Sequence, residues 1–246
     1  MRVSNNFYDD PRVFEEYEGH RLSGVSSPGY VMEEPALWEE LGSVAGQRVA
    51  DLGCGDAAIG AALLDAGCAS YYGMDTSVAM VTAAQTTLRG RQGRIEHAHI
   101  ESFAFPPDSF NLIISRLALH YVDDIEPVLQ ACGDCLTPGG RIIFTVAHPV
   151  ITSHHEQDDP GGQRTSRLVD DYFVRGPRHR PWFGQTVTWH HRTIEDYVSA
   201  LAGAGFTLTA LRECPPRRSL FGHDDAEFAR RLRTPLFLLL SGCHPR

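Results

Sequence analysis

Not one lysine occurs among the 246 residues; all 22 basic positions are arginine. Such a chain cannot form a lysine Schiff base, place a P-loop lysine on a phosphate, or supply the lysine of short-chain dehydrogenase catalysis. Its arginines are also outnumbered by 31 acids, for a net charge of −9. Nucleic-acid binding depends on phosphate neutralisation, so this balance argues against it, with Arg175 to Arg180 as a local basic patch at most. No apolar run approaches the roughly 18 residues that span a bilayer, and Leu236 to Leu240 is only strand-length. The first residues, Met1-Arg2-Val3-Ser4, lack the apolar core of a signal peptide. The expectation is a cytoplasmic protein without membrane or nucleic-acid partners, a monomer or homodimer. The six cysteines have no framework spacing. Cys132-Gly-Asp-Cys135 has no second C-x-x-C, so packed thiols are expected rather than a metal site. Repeats, heptads and low-complexity tracts are missing too. What remains is an ordinary composition, 42% apolar and 22% charged, suited to a single α/β domain with one core.

The richest stretch is Val49-Ala50-Asp51-Leu52-Gly53-Cys54-Gly55-Asp56-Ala57-Ala58-Ile59-Gly60. A buried strand end, a glycine turn and an alanine-rich helix follow one another there. Glycines at such a turn let a ligand lie against bare backbone at the helix N-terminus. The spacing also satisfies the loose dinucleotide pattern G-x-G-x-x-G/A, with Ala58 last and Asp75 placed as a ribose-binding acid. Asp51 and Asp56 flank the turn, which repels a pyrophosphate and welcomes a cation. S-adenosylmethionine, with sulfonium and ammonium but no phosphate, is therefore favoured over a nicotinamide dinucleotide.

Four blocks in order carry a resemblance to the class I S-adenosylmethionine-dependent methyltransferases, of the small-molecule type. They are Asp51-Leu-Gly-Cys-Gly, Tyr72-Gly-Met-Asp-Thr-Ser77, Phe110 through Tyr121, and Leu136-Thr-Pro-Gly-Gly-Arg141. The resemblance covers roughly residues 45–150. It implies a Rossmann-like, doubly wound, mostly parallel seven-stranded sheet, an N-terminal helical lid over residues 1–44, a cofactor-binding core over 45–148, an insertion after the fifth strand over 149–192, and closing elements over 193–246. Two positions depart from the pattern. His99 stands where an aspartate usually meets the adenine amino group, and Asn111 where many relatives carry aspartate in a structural place.

Alternation along the chain predicts strands at 47–52, 69–74, 94–98, 109–114 and 141–147, with helices at 56–67, 77–89 and 122–135. Helices are expected at Pro11 to Gly19 and Glu33 to Leu41, one capped by Thr193 through Ala202, and last strands at Phe206 to Leu211 and Pro235 to Ser241. Residues 148–192 break the alternation and are read as a lid. Pro215 to Arg233 is read as a mobile surface loop with one short helix.

The implied cofactor contacts are Tyr17, Arg21, Asp51, Gly53, Cys54, Gly55, Asp75, Thr76, Met80, His99, Ile100, Glu101, Ser115 and His120. Arg21 is placed to face the cofactor carboxylate. The acceptor pocket is expected from Tyr8, Tyr17, His120, His148, Tyr172, Trp182, Phe183 and His191. His148 and His191 open and close the insertion and are the candidate bases, because imidazole titrates near neutrality. No metal is expected. The implied activity is methyl transfer to an O or N atom of a small acceptor, a natural product or amine metabolite of bacterial secondary metabolism. A tRNA or protein methyltransferase of the same fold, or a non-catalytic cofactor-binding subunit, are the alternatives.

Overall fold

The computed structural model describes residues 6–21, 27–154, 167–182 and 184–245, apart from the side chains of residues 18, 20 and 21. A short 3-10 turn, Phe7–Asp9, leads into α1, Pro11–Arg21. A π-helical turn, Gly29–Glu33, runs straight into α2, Glu34–Leu41. Strands and helices then alternate: β1 Arg48–Leu52, α3 Ala58–Asp65, β2 Ser70–Asp75, α4 Val78–Thr87, β3 Gly93–His97, β4 Phe110–Arg116, α5 Glu126–Cys135 and β5 Leu136–Ala147. After α6, Pro149–Thr152, comes a hairpin of β6, Gly176–Trp182, and β7, Gln185–His191. The chain closes with α7 Ile194–Gly203, β8 Thr207–Arg212, α8 Asp225–Arg231 and β9 Phe237–Cys243.

Seven strands form one sheet in the order β3-β2-β1-β4-β5-β9-β8, parallel from β3 to β5 and antiparallel on both sides of β9. Helices connect β1 to β2, β2 to β3 and β4 to β5, with a 3-10 turn at Ile100–Ser102 between β3 and β4. The central strands are therefore covered on both faces and read as apolar runs rather than alternations. Ile113, Ile142 and Phe144 face one cluster; Leu112, Ile114 and Ile143 face the other. Cys132 and Cys135 are fully buried in the first. The order reverses between β1 and β4, and a crevice opens beyond the strand ends there.

Three features differ from the sequence-based expectation. The 148–192 stretch holds an antiparallel hairpin whose Val187 and Trp189 pack with Ala147 and Ile151. Its aromatic and β-branched alternation is the signal for β7. The stretch after Pro215 is a docked element rather than a loose loop. Phe221 is buried with Val31 and Met32, and Phe228 packs alongside. Finally, β5 begins at Leu136, not Arg141, because the Thr137–Gly140 backbone bonds the chain end, with Gly139 donating to His244 and His244 to Gly140.

Candidate functional site

A cavity of about 600 Å³ lies over the ends of β1, β2 and β4. Its first half is made of loop backbone and two carboxylates. Gly53 turns with φ +79°, and a Cβ there would stand 2.4 Å from the Ala118 Cβ, so only glycine fits. Gly53 and Cys54 both donate to the Met74 carbonyl at 2.9 Å, tying the turn to the end of β2. Asp75 accepts from Gly55 N at 3.0 Å and from Ser77 N at 2.9 Å, one bond to each oxygen. A carboxylate has about four acceptor sites, so both oxygens keep capacity for ligand hydroxyls. Burial raises the Asp75 pKa, and the bonds from Ser77 and Gly55 oppose that.

Asp51 is the unusual member. It has no exposed surface; Oδ2 accepts from Tyr71 OH at 2.6 Å, and Oδ1 has no partner among the described residues. Burial lifts its pKa to about 7 despite the Tyr71 bond. An orphaned carboxylate oxygen on a cavity wall calls for a cation or donor. A glycine cradle, an unpaired acid and a second acid with open acceptor sites together fit S-adenosylmethionine.

The second half is made of side chains from distant segments. Rings chain together across it: Tyr17 to Tyr8 at 5.0 Å, Tyr8 to Phe7 at 4.0 Å, Phe7 to Tyr121 at 6.0 Å, Tyr121 to His120 at 4.6 Å, His120 to Trp189 at 5.0 Å and Trp189 to Trp182 at 6.0 Å. Two polar ties hold this wall. Asp9 accepts from Ser77 Oγ at 2.7 Å and Ala79 N at 3.1 Å, and Gln185 on the hairpin donates to Asp10 at 3.2 Å. His120 Nδ1 accepts from Ala147 N at 3.5 Å, which leaves the proton on Nε2. Burial, with the charges of Arg192 and Arg180, pushes its pKa to about 3, so the ring stays neutral. Opposite, Arg116 donates to the fully buried Glu33 at 2.8 Å and to Glu34 at 3.0 Å. Burial pulls the arginine pKa down, but the two carboxylates outweigh it and hold it charged.

Of the residues read from the sequence, the cavity brings together Tyr8, Tyr17, Asp51, Gly53, Cys54, Gly55, Asp75, Thr76, Met80, His99, Ile100, Glu101, His120 and Trp182. Phe183 and the Arg21 side chain lie outside the described residues. Four others are not on the wall. Ser115 is buried and donates its hydroxyl to the Leu52 carbonyl at 2.8 Å, joining β4 to β1. Tyr172 sits against the far side of His191, at 5.8 Å between rings.

Both candidate bases require correction. His148 caps α6 by accepting from Val150 N at 3.1 Å, and its Nε2 meets Glu213 at 3.1 Å. His191 is held between Thr152 Oγ1 at 2.6 Å and the Tyr172 carbonyl at 2.9 Å. Each ring has both nitrogens occupied and serves the scaffold. Sequence reasoning missed Phe7, Tyr121, Trp189, Glu34 and Arg116 as wall residues. Trp189 had a signal in the period-2 pattern of Val187, Trp189 and His191; the Glu33–Arg116 pair, 83 residues apart, had none.

Residues 50–144 match the family described as a methyltransferase domain. The crystal structure of an S-adenosylmethionine-dependent methyltransferase from Mesorhizobium loti is 33% identical and superposes with a TM-score of 0.79, over 86% of this chain and 97% of that one. A candidate methyltransferase of the same cofactor from Listeria monocytogenes is 29% identical, with a TM-score of 0.77 over 87% and 99% of the two chains. An uncharacterized protein of Haemophilus influenzae is 31% identical over 223 residues, 87% of each chain.

Proposed function

Because the chain belongs to the S-adenosylmethionine-dependent methyltransferases, we propose that it methylates an O or N atom of a small acceptor held in the aromatic half of the cavity. When bound, S-adenosylmethionine supplies a methyl group activated by the neighbouring sulfonium. In this reading Asp51 and the Gly53 turn hold the cationic methionyl end, and Asp75 the ribose hydroxyls. Met80 and Ile100 pack the base, with His99 at its edge. The ring chain from Tyr17 to Trp182 orients the acceptor and keeps water away, which converts a bimolecular encounter into a positioned one.

One observation carries the small-molecule reading. The Phe7–Asp9 turn and the β6–β7 hairpin supply apolar walls to the cavity and are joined through Asp10 and Gln185. Pockets of a few hundred Å³ with mostly apolar walls and few polar groups suit small ligands. A protein loop or tRNA arm would need an open groove instead.

Labelled S-adenosylmethionine incubated with the purified chain and separate metabolite, tRNA and protein fractions provides the test. Label in the metabolite fraction is expected. Label confined to tRNA or protein would replace this reading with one of the macromolecular alternatives.

A further inference from the structure

We propose that the acceptor is an amine and that Glu34 is the residue that selects it, a proposal that rests on the small-molecule reading above. Charge comes first. Among the described residues lining the cavity, five carboxylates (Glu34, Asp51, Asp56, Asp75 and Glu101) face one guanidinium, Arg116. Asp51, Asp56 and Asp75 belong to the cofactor half. Arg116 is already neutralised from behind by Glu33, at 2.7 and 2.8 Å. Glu33 and Glu34 share that one guanidinium, so the triad leaves one formal negative charge in excess at the acceptor wall, with Glu34 Oε2 on Arg116 at 3.0 Å. Arg180 and Arg192 back the opposite wall, but neither lines it. Their tips donate to the carbonyls of Ile151, His154, Val122 and Asp123.

The second observation is that the described acceptor wall offers no side chain suited to remove a proton at neutral pH. His120 carries its proton on Nε2 and so presents a donor. Desolvation pushes the half-buried phenols of Tyr8 and Tyr121 up, Tyr121 to about 12. His148 and His191 are spent in the scaffold. Glu34 has its Oε2 bound to Arg116 at 3.0 Å.

These facts separate the nucleophiles. An alcohol or phenol needs its proton removed as it reacts. A carboxylic acid brings a negative charge against Glu34. An amine arrives as the ammonium, loses that proton to solvent and reacts through its neutral form, so it needs neither a protein base nor a counter-cation. Its nitrogen lone pair forms the N–C bond while the C–S pair stays with sulfur as a neutral thioether. The positive charge moves from sulfur to nitrogen, and the surplus proton of the ammonium product passes to water on release. A fixed carboxylate beside the nitrogen stabilises that retained charge.

Trp182 and Trp189 are built-in reporters of acceptor binding. With S-adenosylhomocysteine saturating, quenching of their fluorescence is titrated with three matched probes: 2-phenylethylamine, 2-phenylethanol and phenylacetate. The amine is expected to bind at least about tenfold tighter than the acid. Glu34→Gln should shrink that gap to about threefold or less while S-adenosylhomocysteine affinity, read by calorimetry, is unchanged. In a series of amines, kcat/KM should rise with pH to a plateau set by each amine's own pKa. Equal or tighter binding of acid or alcohol overturns the proposal, as does a gap that survives Glu34→Gln or one fixed inflection shared by every amine. If none of the probes binds and none is methylated, the small-molecule reading itself falls, a result distinct from a wrong order among them.

Discussion

The two halves of the cavity are built on different principles. The cofactor half rests on backbone within three consecutive loops. The Gly53–Gly55 turn is fixed by main-chain bonds to Met74 and Asp75, and the side chains proposed to meet the cofactor, Asp51, Asp56, Asp75, Met80, His99 and Ile100, all sit at or just after the ends of β1, β2 and β3. The half proposed for the acceptor is made of side chains from the N-terminal turn, the π-helical turn, the end of β4 and the hairpin. Backbone geometry is dictated by a short run of residues, so the first half is compact in sequence and tolerates little change. Side-chain walls from four segments can be altered one at a time. The comparison teaches where specificity can vary without loss of the donor.

Substitutions sharpen that contrast, and the largest effect belongs to the backbone. Gly53→Val adds a side chain where Ala118 leaves 2.4 Å. Calorimetry should show S-adenosylhomocysteine affinity reduced at least about 100-fold, or some 2.7 kcal/mol. A folded variant with normal affinity would sink the cradle argument. Asp75→Ala comes next, since it strips a charged acceptor and releases Gly55 N and Ser77 N. A loss of about 1.5–3 kcal/mol in cofactor affinity is expected.

The third effect depends on pH. Burial keeps Asp51 largely protonated below about 7 in the unliganded protein, whereas a cation binds the ionised form. Affinity for S-adenosylmethionine should therefore climb from pH 5.5 to 7, by up to about tenfold per unit, and level off above. Asp51→Asn should flatten the curve. The stability sign runs the other way. A folded pKa raised above the ordinary acid value of about 3.9 makes the protonated carboxyl a stabilising feature of the fold. That contribution is complete at pH 4 and lost as pH rises through 7. Thermal unfolding of the unliganded wild type should decline across this window relative to Asp51→Asn.

On the acceptor side, Trp189→Ala should leave cofactor affinity within about threefold while acceptor KM or turnover changes at least about tenfold, some 1.4 kcal/mol. Equal losses in both would mean general damage to the wall. Smallest of all in its effect on chemistry is His191→Gln. Losing the buried bonds to Thr152 and Tyr172 should cost about 1–3 kcal/mol in urea unfolding, yet the pH–rate profile should keep its inflections. A vanished inflection would restore His191 as a base.

How much of the site was legible follows the same division. Asp51, Gly53, Gly55 and Asp75 were readable because each sits next to a strand end whose apolar run announces it. Trp182 was readable as an aromatic in a segment too rich in rings for a linker. His148 and His191 were misjudged because composition records that an imidazole is present but not which atoms saturate its nitrogens. Thr152 lies 39 residues from His191, and Glu213 lies 65 from His148.

By itself, the sequence determined the alternating β1–β5 core, the glycine turn, the two acids beside it and the exclusion of lysine chemistry, because strand periodicity, turn stereochemistry and charge are local properties. Tertiary structure alone decided the rest. It set β9 between β5 and β8, folded the hairpin over Ala147, closed the Phe7–Asp9 turn onto α4 through Asp9, and set Glu34 beside Arg116. Those outcomes depend on which side chains meet across many residues of chain, and long-range packing selects such meetings only once the whole core has formed.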